Sequence, residues 1–301
     1  MRILLLLVTV LLTFTYSFSQ TKGLILEPAS SVLGRSILDP NGDGYVSSTN
    51  AGFTANDVAE SEIPFKTLIP AGTEPDSDLE NAPNCGYTDY VESVSGGLDP
   101  VMAYIKTADN GSKYWIFRLR MGAVSPNAKS YSIMIDTDNK IGPSDNDSYT
   151  ALNLGFEYEI VLSTKFGVRV YKFTNPDGTS CTPVISYNGT TNYQKSIAYS
   201  TQCGNADYFL DFFVSLSDLN SAAAGFLDAE NTAMRYVLAD NTGADKSTLC
   251  NASSASDVGG TSGVDASFVS QIEEIISIQN GCTVNTINNS SCQVKTSCPE
   301  I

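Results

Sequence analysis

From about residue 99 to residue 240, apolar and polar positions alternate in short runs separated by clusters of Asn, Asp, Gly and Ser. Alternation with a period of two puts every second side chain on one face of a strand. A series of such runs at close spacing predicts a mostly β domain, an antiparallel sandwich of two sheets. The clearest run is 114–121, with Trp115, Phe117, Leu119 and Met121 on one face and Tyr114, Ile116, Arg118 and Arg120 on the other. In 130–135, Tyr131, Ile133 and Ile135 fall together, and 156–162 sets Phe156, Tyr158, Ile160 and Leu162 against Glu157 and Glu159. A turn at 165–167 joins that run to 167–173 as a hairpin, and 197–200, 208–216 and 233–239 continue the series. The apolar faces are expected to point inward. Arg118, Arg120, Glu157 and Glu159 are then expected to form cross-strand ion pairs on partly solvated faces.

The period changes near the end. Phe268, Ile272, Ile275 and Ile276 keep helical spacing, with Asp265 or Ser267 as the cap and Gly281 as the stop. This helix is expected to pack on the sandwich, and the Ser-, Gly- and Ala-rich stretch 251–263 reads as the loop leading into it. Residues 21–80 have few periodic runs and read as an extended lead-in. The expected organisation is a signal peptide at 1–19, the lead-in at 20–80, the sandwich with its helix at 81–281, and a Cys-rich tail at 282–301.

The first residues are the reason for expecting export. Arg2 supplies a positive start, residues 3–12 are apolar except for Thr9, and Ser17 and Ser19 give a small-x-small cleavage pattern. A spanning helix needs about 20 apolar residues, more than this run holds. Export by this signal predicts a secreted or cell-surface protein with no membrane insertion. The whole chain has 17 Lys+Arg against 33 Asp+Glu, a net charge of −16. Losing Arg2 with the signal makes it −17. A field of that sign repels nucleic acid, so none is expected as a partner.

Export also makes disulfides the expected state of the seven cysteines, Cys85, Cys181, Cys203, Cys250, Cys282, Cys292 and Cys298. Cys181 with Cys203 is the first expected pair, because they bracket a polar excursion between strands; Cys85 with Cys250 is the second. Histidine is absent. Ser-His-Asp and Cys-His catalysis in their usual forms are therefore excluded, as are His-based zinc sites. A carboxylate-pair glycosidase would need two acids facing each other across a cleft about 5–10 Å wide.

The sharpest motif is Asp39-Pro-Asn41-Gly-Asp43-Gly44-Tyr45-Val46-Ser47. Oxygen-bearing side chains at alternate positions let a tight loop turn them onto one hard cation, with Tyr45 offering its carbonyl. The pattern resembles the calcium loops of EF-hands and dockerins, with Asn50 where a bidentate Glu would stand. Asp39, Asn41, Asp43, Tyr45, Ser47 and Asn50 are the expected metal ligands, Ca2+ is the expected cofactor, and Asp57, Glu60 or Glu62 could complete the sphere. The competing reading is an Asx-rich turn that binds nothing. A second acidic turn, Asp136-Thr137-Asp138-Asn139-Lys140, closes a strand, and its two acids could share a cation. The run Asp145-Asn146-Asp147 reads as a solvated loop.

Taken together, residues 39–47, 60–65, 81–85, 115–122, 129–138 and 193–201 resemble the N-terminal module of very large surface proteins of gliding bacteria that use the type nine secretion route. The resemblance covers about 38–281 and implies a surface location, with downstream domains missing from this chain. Three segments are similar to family-nine carbohydrate-binding modules and DOMON-type sandwiches: Trp115-Ile-Phe-Arg-Leu-Arg120, Tyr131-Ser-Ile-Met-Ile-Asp136 and Tyr208-Phe-Leu-Asp-Phe-Phe213. That similarity implies a fold and raises a glycan as ligand, with Tyr87, Tyr149, Tyr187 and Tyr193 as candidate contacts. The function expected is a non-catalytic, calcium-stabilised adhesive or glycan-binding module. The alternative is an architectural cap.

Calcium should slow proteolysis near Asn50, and Asp43→Ala should abolish that protection while leaving the sandwich folded. Asn50→Glu should tighten the loop's calcium binding in a titration, because it restores the bidentate ligand. Identical cleavage rates in calcium and in chelator would reduce the motif to a turn.

Overall fold

The computed structural model describes residues 66–67, 86–91, 101–108, 110–123, 125–126, 128–143, 145, 148–150, 153–173, 181–188, 192–197, 207–241, 243, 247–250, 257–259, 267–279, 284–288 and 291–294. The alternating runs become strands, and the two-sheet expectation holds. In chain order they are β1 (Lys66–Thr67), β2 (Val101–Thr107), β3 (Lys113–Met121), β4 (Ser130–Asp136), β5 (Tyr158–Ser163) and β6 (Gly167–Lys172). Then come β7 (Ile185–Asn188), β8 (Tyr193–Ile197), β9 (Tyr208–Ser215), β10 (Arg235–Asn241), β11 (Val284–Asn288) and β12 (Ser291–Val294). Among the described residues two helices accompany them, α1 (Leu216–Leu219) and α2 (Phe268–Gln279).

One five-stranded sheet runs β1-β2-β3-β9-β8, a second runs β10-β4-β5-β6-β7, and β11 pairs with β12. All the pairings are antiparallel. Residues of the expected lead-in thus supply an edge strand, β1, and residues of the expected tail form the β11–β12 hairpin. The signal segment lies outside the described residues.

The inner faces are those the alternation selects. Trp115, Phe117 and Leu119 of β3 share one buried cluster with Ile133 and Ile135 of β4, Ile160 and Leu162 of β5, and Tyr236 of β10. Trp115 is wholly buried, and its ring meets Tyr236 of the opposite sheet edge-on at 5.9 Å. Aromatic pairs in that arrangement add to the stabilisation that burial alone provides.

A second apolar layer lies outside the second sheet. Phe268, Ile272 and Ile275 sit on one face of α2 and pack with Met134, Val161, Val237 and Ala239. Ser267 begins the helix, its hydroxyl accepting the Ser270 N–H at 3.3 Å. The segment before the helix is not a free loop throughout. Asp240 N–H donates to the Asp257 carbonyl at 3.0 Å and Gly259 N–H to the Leu238 carbonyl at 3.2 Å, so residues 257–259 run along β10.

Solvated outer faces are the expectation that fails. Arg118 and Arg120 are buried, although the expected cross-strand ion pair is present for Arg118. Arg118 holds Asp211, its register partner on β9, through two hydrogen bonds of 2.8 and 2.9 Å, and its guanidinium lies 4.1 Å over the Phe209 ring. Arg120 reaches Asp207 at 3.2 Å. Glu159 is also buried and accepts from the Ser247 hydroxyl and from the Thr248 N–H at 2.7 Å. A charge survives in such a place only with its partner built in.

The disulfide differs as well. Cys181 pairs with Cys250, Cα–Cα 5.9 Å, and not with Cys203; Cys85 is therefore not the partner of Cys250. The reason lies in Glu159. It anchors the turn at residues 247–250 onto the outer face of the second sheet, within reach of the approach to β7. The bond closes 69 residues, for which loop-closure entropy gives about 4 kcal/mol.

Arg118→Leu should destabilise the protein by about 3–5 kcal/mol, because it strands Asp211 without its partner. The double change Arg118→Leu with Asp211→Leu should cost much less. Denaturant unfolding of both variants decides it, and equal costs would mean that the pairing does not matter.

Candidate metal centre

The second acidic turn is where the described residues concentrate carboxylates. Asp136 is the last residue of β4, and Thr137 to Lys140 turn away from it. The turn is held by its own acids. Asp136 Oδ1 accepts the N–H groups of Asp138 (3.1 Å) and Asn139 (2.8 Å), and Asp138 Oδ1 accepts that of Lys140 (2.9 Å). Asn139 takes φ 61°, a left-handed value that Asn tolerates better than most residues.

Glu157 arrives from the other strand. The β4–β5 ladder sets Ile135 opposite Tyr158, so Asp136 and Glu157 follow at the same end of the sheet. Asp136, Asp138 and Glu157 each bring a carboxylate oxygen within 4.8 Å of the others, a group that could hold a metal ion. Among the described residues no other such group of three occurs.

The surroundings set the charge balance. Arg235, the register partner of Asp136 on β10, donates from Nε to Asp136 Oδ2 at 2.6 Å. Lys140 caps Asp138 from the solvent side, where an exposed ammonium is held weakly and can give way to a stronger cation. Thr137 donates to Glu157 Oε2 from its N–H (2.6 Å) and its hydroxyl (2.9 Å). The other oxygen, Oε1, meets the Ser148 hydroxyl at 2.8 Å, and that hydroxyl also meets Asp145 Oδ2 at 2.5 Å.

One hydroxyl proton cannot serve two carboxylates at once. A proton on Glu157, or a cation beside it, relieves the conflict. Burial pushes the Glu157 carboxyl above the usual carboxylate range, as it does that of Asp136, where Arg235 partly offsets the effect. Asp145, expected in a solvated loop, is buried in this arrangement.

Asp39, Asn41, Asp43, Tyr45, Ser47 and Asn50, with Asp57, Glu60 and Glu62, lie outside the described residues. The aromatic residues raised for glycan contact do not form a platform. Trp115 is in the core, Tyr193 is buried with its hydroxyl donating to the Thr164 carbonyl, and Tyr187 is half-buried with its hydroxyl on Asp218. Tyr87 and Tyr149 are half-buried too, Tyr149 against the helix-side cluster. The exposed large hydrophobic among the described residues is Phe226, on the turn after α1.

Comparison of the chain with protein-family models, with curated proteins and with solved structures finds no match in any of the three. The chemistry of the centre therefore rests on its own geometry. Its donors are hard oxygens, which favour Ca2+, Mg2+ or Mn2+ over softer metals. Sequence reading found Asp136 and Asp138 but not Glu157, although the register of two alternating strands already places Glu157 beside them.

The pH dependence of the metal-free protein follows from the raised carboxyls. In the window between the ordinary carboxylate range and the raised folded-state values of Asp136 and Glu157, the native state holds more protons than the unfolded chain. Stability from these groups is present below that window and is lost as pH rises through it. Saturating calcium should flatten the loss, since the cation replaces the proton. Glu157→Gln should reduce the slope by the share Glu157 contributes, with the remainder left by Asp136 and the other raised carboxyls, measured by thermal melting from pH 4 to 8. An unchanged slope in Glu157→Gln would show that other groups set it.

Proposed function

We propose that this chain is an exported, non-catalytic surface module whose sandwich is fastened by calcium and which acts by adhesion. The observation that carries the reading is the Asp136, Asp138 and Glu157 group at the β4–β5 end. Calcium there ties the turn at 136–140 to the entry of β5, and so stiffens a corner built largely from acidic residues. Outside the cell calcium is abundant, and such sites commonly work at millimolar affinity. The signal-like start, the cysteine content and the excess of acid agree with that environment.

Catalysis is not part of the proposal. Asp136 is fully buried and clamped by Arg235, so it cannot approach a sugar as nucleophile or acid. Glu157 is taken up by Thr137 and Ser148. No helix among the described residues is long and apolar enough to cross a membrane.

The architectural cap is the second reading, and one observation favours it over glycan binding. Apart from the half-buried Tyr208, the large aromatic side chains on β3, β4 and β9 are buried, so these strands offer sugar rings little stacking face.

Calcium should raise the melting temperature of the mature protein and chelator should reverse it. At a hundredfold excess over Kd the gain is about 2.7 kcal/mol. Asp138→Asn with Glu157→Gln should remove the part of this gain that arises at the β4–β5 corner. A screen of the mature protein on glycan arrays and on bacterial cells, with and without calcium, separates the readings. Calcium-dependent cell attachment supports adhesion, selective glycan signal would revive sugar binding, and neither signal would leave the architectural role.

A further inference from the structure

Asp240 lies on β10 and is wholly buried, yet no Arg clamps it as Arg118 clamps Asp211 or Arg235 clamps Asp136. The Asp257 amide leans towards its carboxylate and favours the charged form. No other donor among the described residues reaches either oxygen. Burial pushes the Asp240 carboxyl well above the usual carboxylate range. The carboxylates of Asp257 and Asp89 push the same way, and the Lys129 ammonium opposes them. Lys129 is shared, since it also lies 5.1 Å over the Tyr87 ring.

The position is a junction between the sheets. Asp240 N–H donates to the Asp257 carbonyl at 3.0 Å, which seats residues 257–259 on β10. Asp257 Oδ2 in turn accepts the Tyr90 N–H at 3.0 Å. The segment 86–91 also grips the end of β3, because Val91 N–H donates to the Arg120 carbonyl at 3.1 Å and Gly122 N–H to the Asp89 carbonyl at 2.9 Å. Tyr131, the register partner of Asp240 on β4, donates its phenol to the Tyr87 carbonyl at 2.5 Å. Burial and the nearness of Asp240 raise that phenol well above its ordinary value, so it stays a donor. Asp89 and Asp257 are buried too, but both are engaged by other groups.

We propose that Asp240 is a buried carboxylic acid whose proton fastens residues 86–91 and 257–259 to β10, making this junction a pH-sensitive latch between the two sheets. A buried carboxyl without a cation of its own sheds its charge by keeping its proton. A metal ion is not the neutralising partner, because Asp240, Asp257 and Asp89 do not draw their oxygens into a group of the kind that Asp136, Asp138 and Glu157 form. The neutral acid gains a donor, and the Asp257 and Asp89 carboxylates are acceptors for it, directly or through a water. Ionised, Asp240 would set a third negative charge against the two segments that the junction holds. The sign follows from linkage. The native state keeps a proton that the unfolded chain releases in the ordinary carboxylate range, so the stability from Asp240 is present below that range and is lost as pH rises through the raised folded-state value.

The test uses the mature protein in chelator, so that the Asp136 centre is empty throughout. Infrared spectra at neutral pH should show a carboxylic-acid C=O band in wild type that Asp240→Asn lacks, since Asn keeps the shape of the neutral acid and cannot ionise. Hydrogen exchange, corrected for the intrinsic effect of pH, should show the Tyr90 and Gly259 amides losing protection from neutral to alkaline pH in wild type. Amides of β4 and β5 should keep theirs, and in Asp240→Asn the loss at Tyr90 and Gly259 should vanish. Lys129→Met, a change at a half-buried position, should carry the wild-type band to higher pH by removing the opposing ammonium, and this arm does not need Asp240→Asn to fold. An Asp240→Asn spectrum that keeps every acid band of wild type would overturn the proposal. So would a wild-type band that Lys129→Met leaves in place, or protection at Tyr90 and Gly259 that responds to pH equally in wild type and Asp240→Asn.

Discussion

Taking a charged side chain out of water costs several kcal/mol unless an opposite charge or a set of hydrogen bonds already awaits it. Most of this fold follows from that constraint, because polar residues on the outer faces of both sheets are buried as well as the apolar ones within. On the first sheet the answer is a ladder, Arg118 to Asp211 and Arg120 to Asp207, with Phe209 beneath both guanidinium groups. On the second sheet Glu159 is met by Ser247 and Thr248, and Asp136 by Arg235. Each pairing joins segments far apart in the chain. The polar groups thus specify which strand lies beside which, a selectivity that apolar contacts alone supply less sharply.

The same constraint explains where sequence reading succeeded. Alternation along β3, β4 and β5 located the strands and assigned Trp115, Phe117, Ile133 and Ile160 to the interior, because an inward face must be apolar whatever covers the other side. Helical spacing in Phe268, Ile272 and Ile275 located α2 in the same way. What alternation cannot report is whether the second face is wet. Arg118 and Glu159 look like surface residues in any window of sequence, and their burial depends on segments that arrive from distant parts of the chain. The disulfide was misassigned for the same reason. Cys181 and Cys203 are neighbours along the sequence, whereas Cys250 is brought to Cys181 by a turn hung on Glu159. β2 and β7 escape alternation because their runs are short or mixed in pattern, and β8 runs Tyr193–Ile197 where alternation places a strand at 197–200, of which only Ile197 is among the described residues.

The acidic groups of the proposed cation site were legible to different degrees. Asp136 and Asp138 stand in a turn that announces itself by composition. Glu157 stands beside a strand, and its significance comes from what faces it across a ladder. A buried carboxylate at a strand end is a stronger sign of bound charge than a cluster of acids in a loop, since loops dissolve their charge in water and strand ends in this fold do not.

The bond between Cys181 and Cys250 has a mechanical meaning. It encloses β7 to β10, that is, strands from both sheets and the partner of β3 in the buried ladder. A chain pulled from its two ends cannot draw out the enclosed 69 residues until the bond itself is cut. At roughly 3.3–3.6 Å per extended residue, about 240 Å of slack is withheld. A module that is tugged while attached to a surface would therefore yield from its flanks, which include β3 with Trp115 and Arg118, while β9 with Asp211 stays on the guarded side of the break.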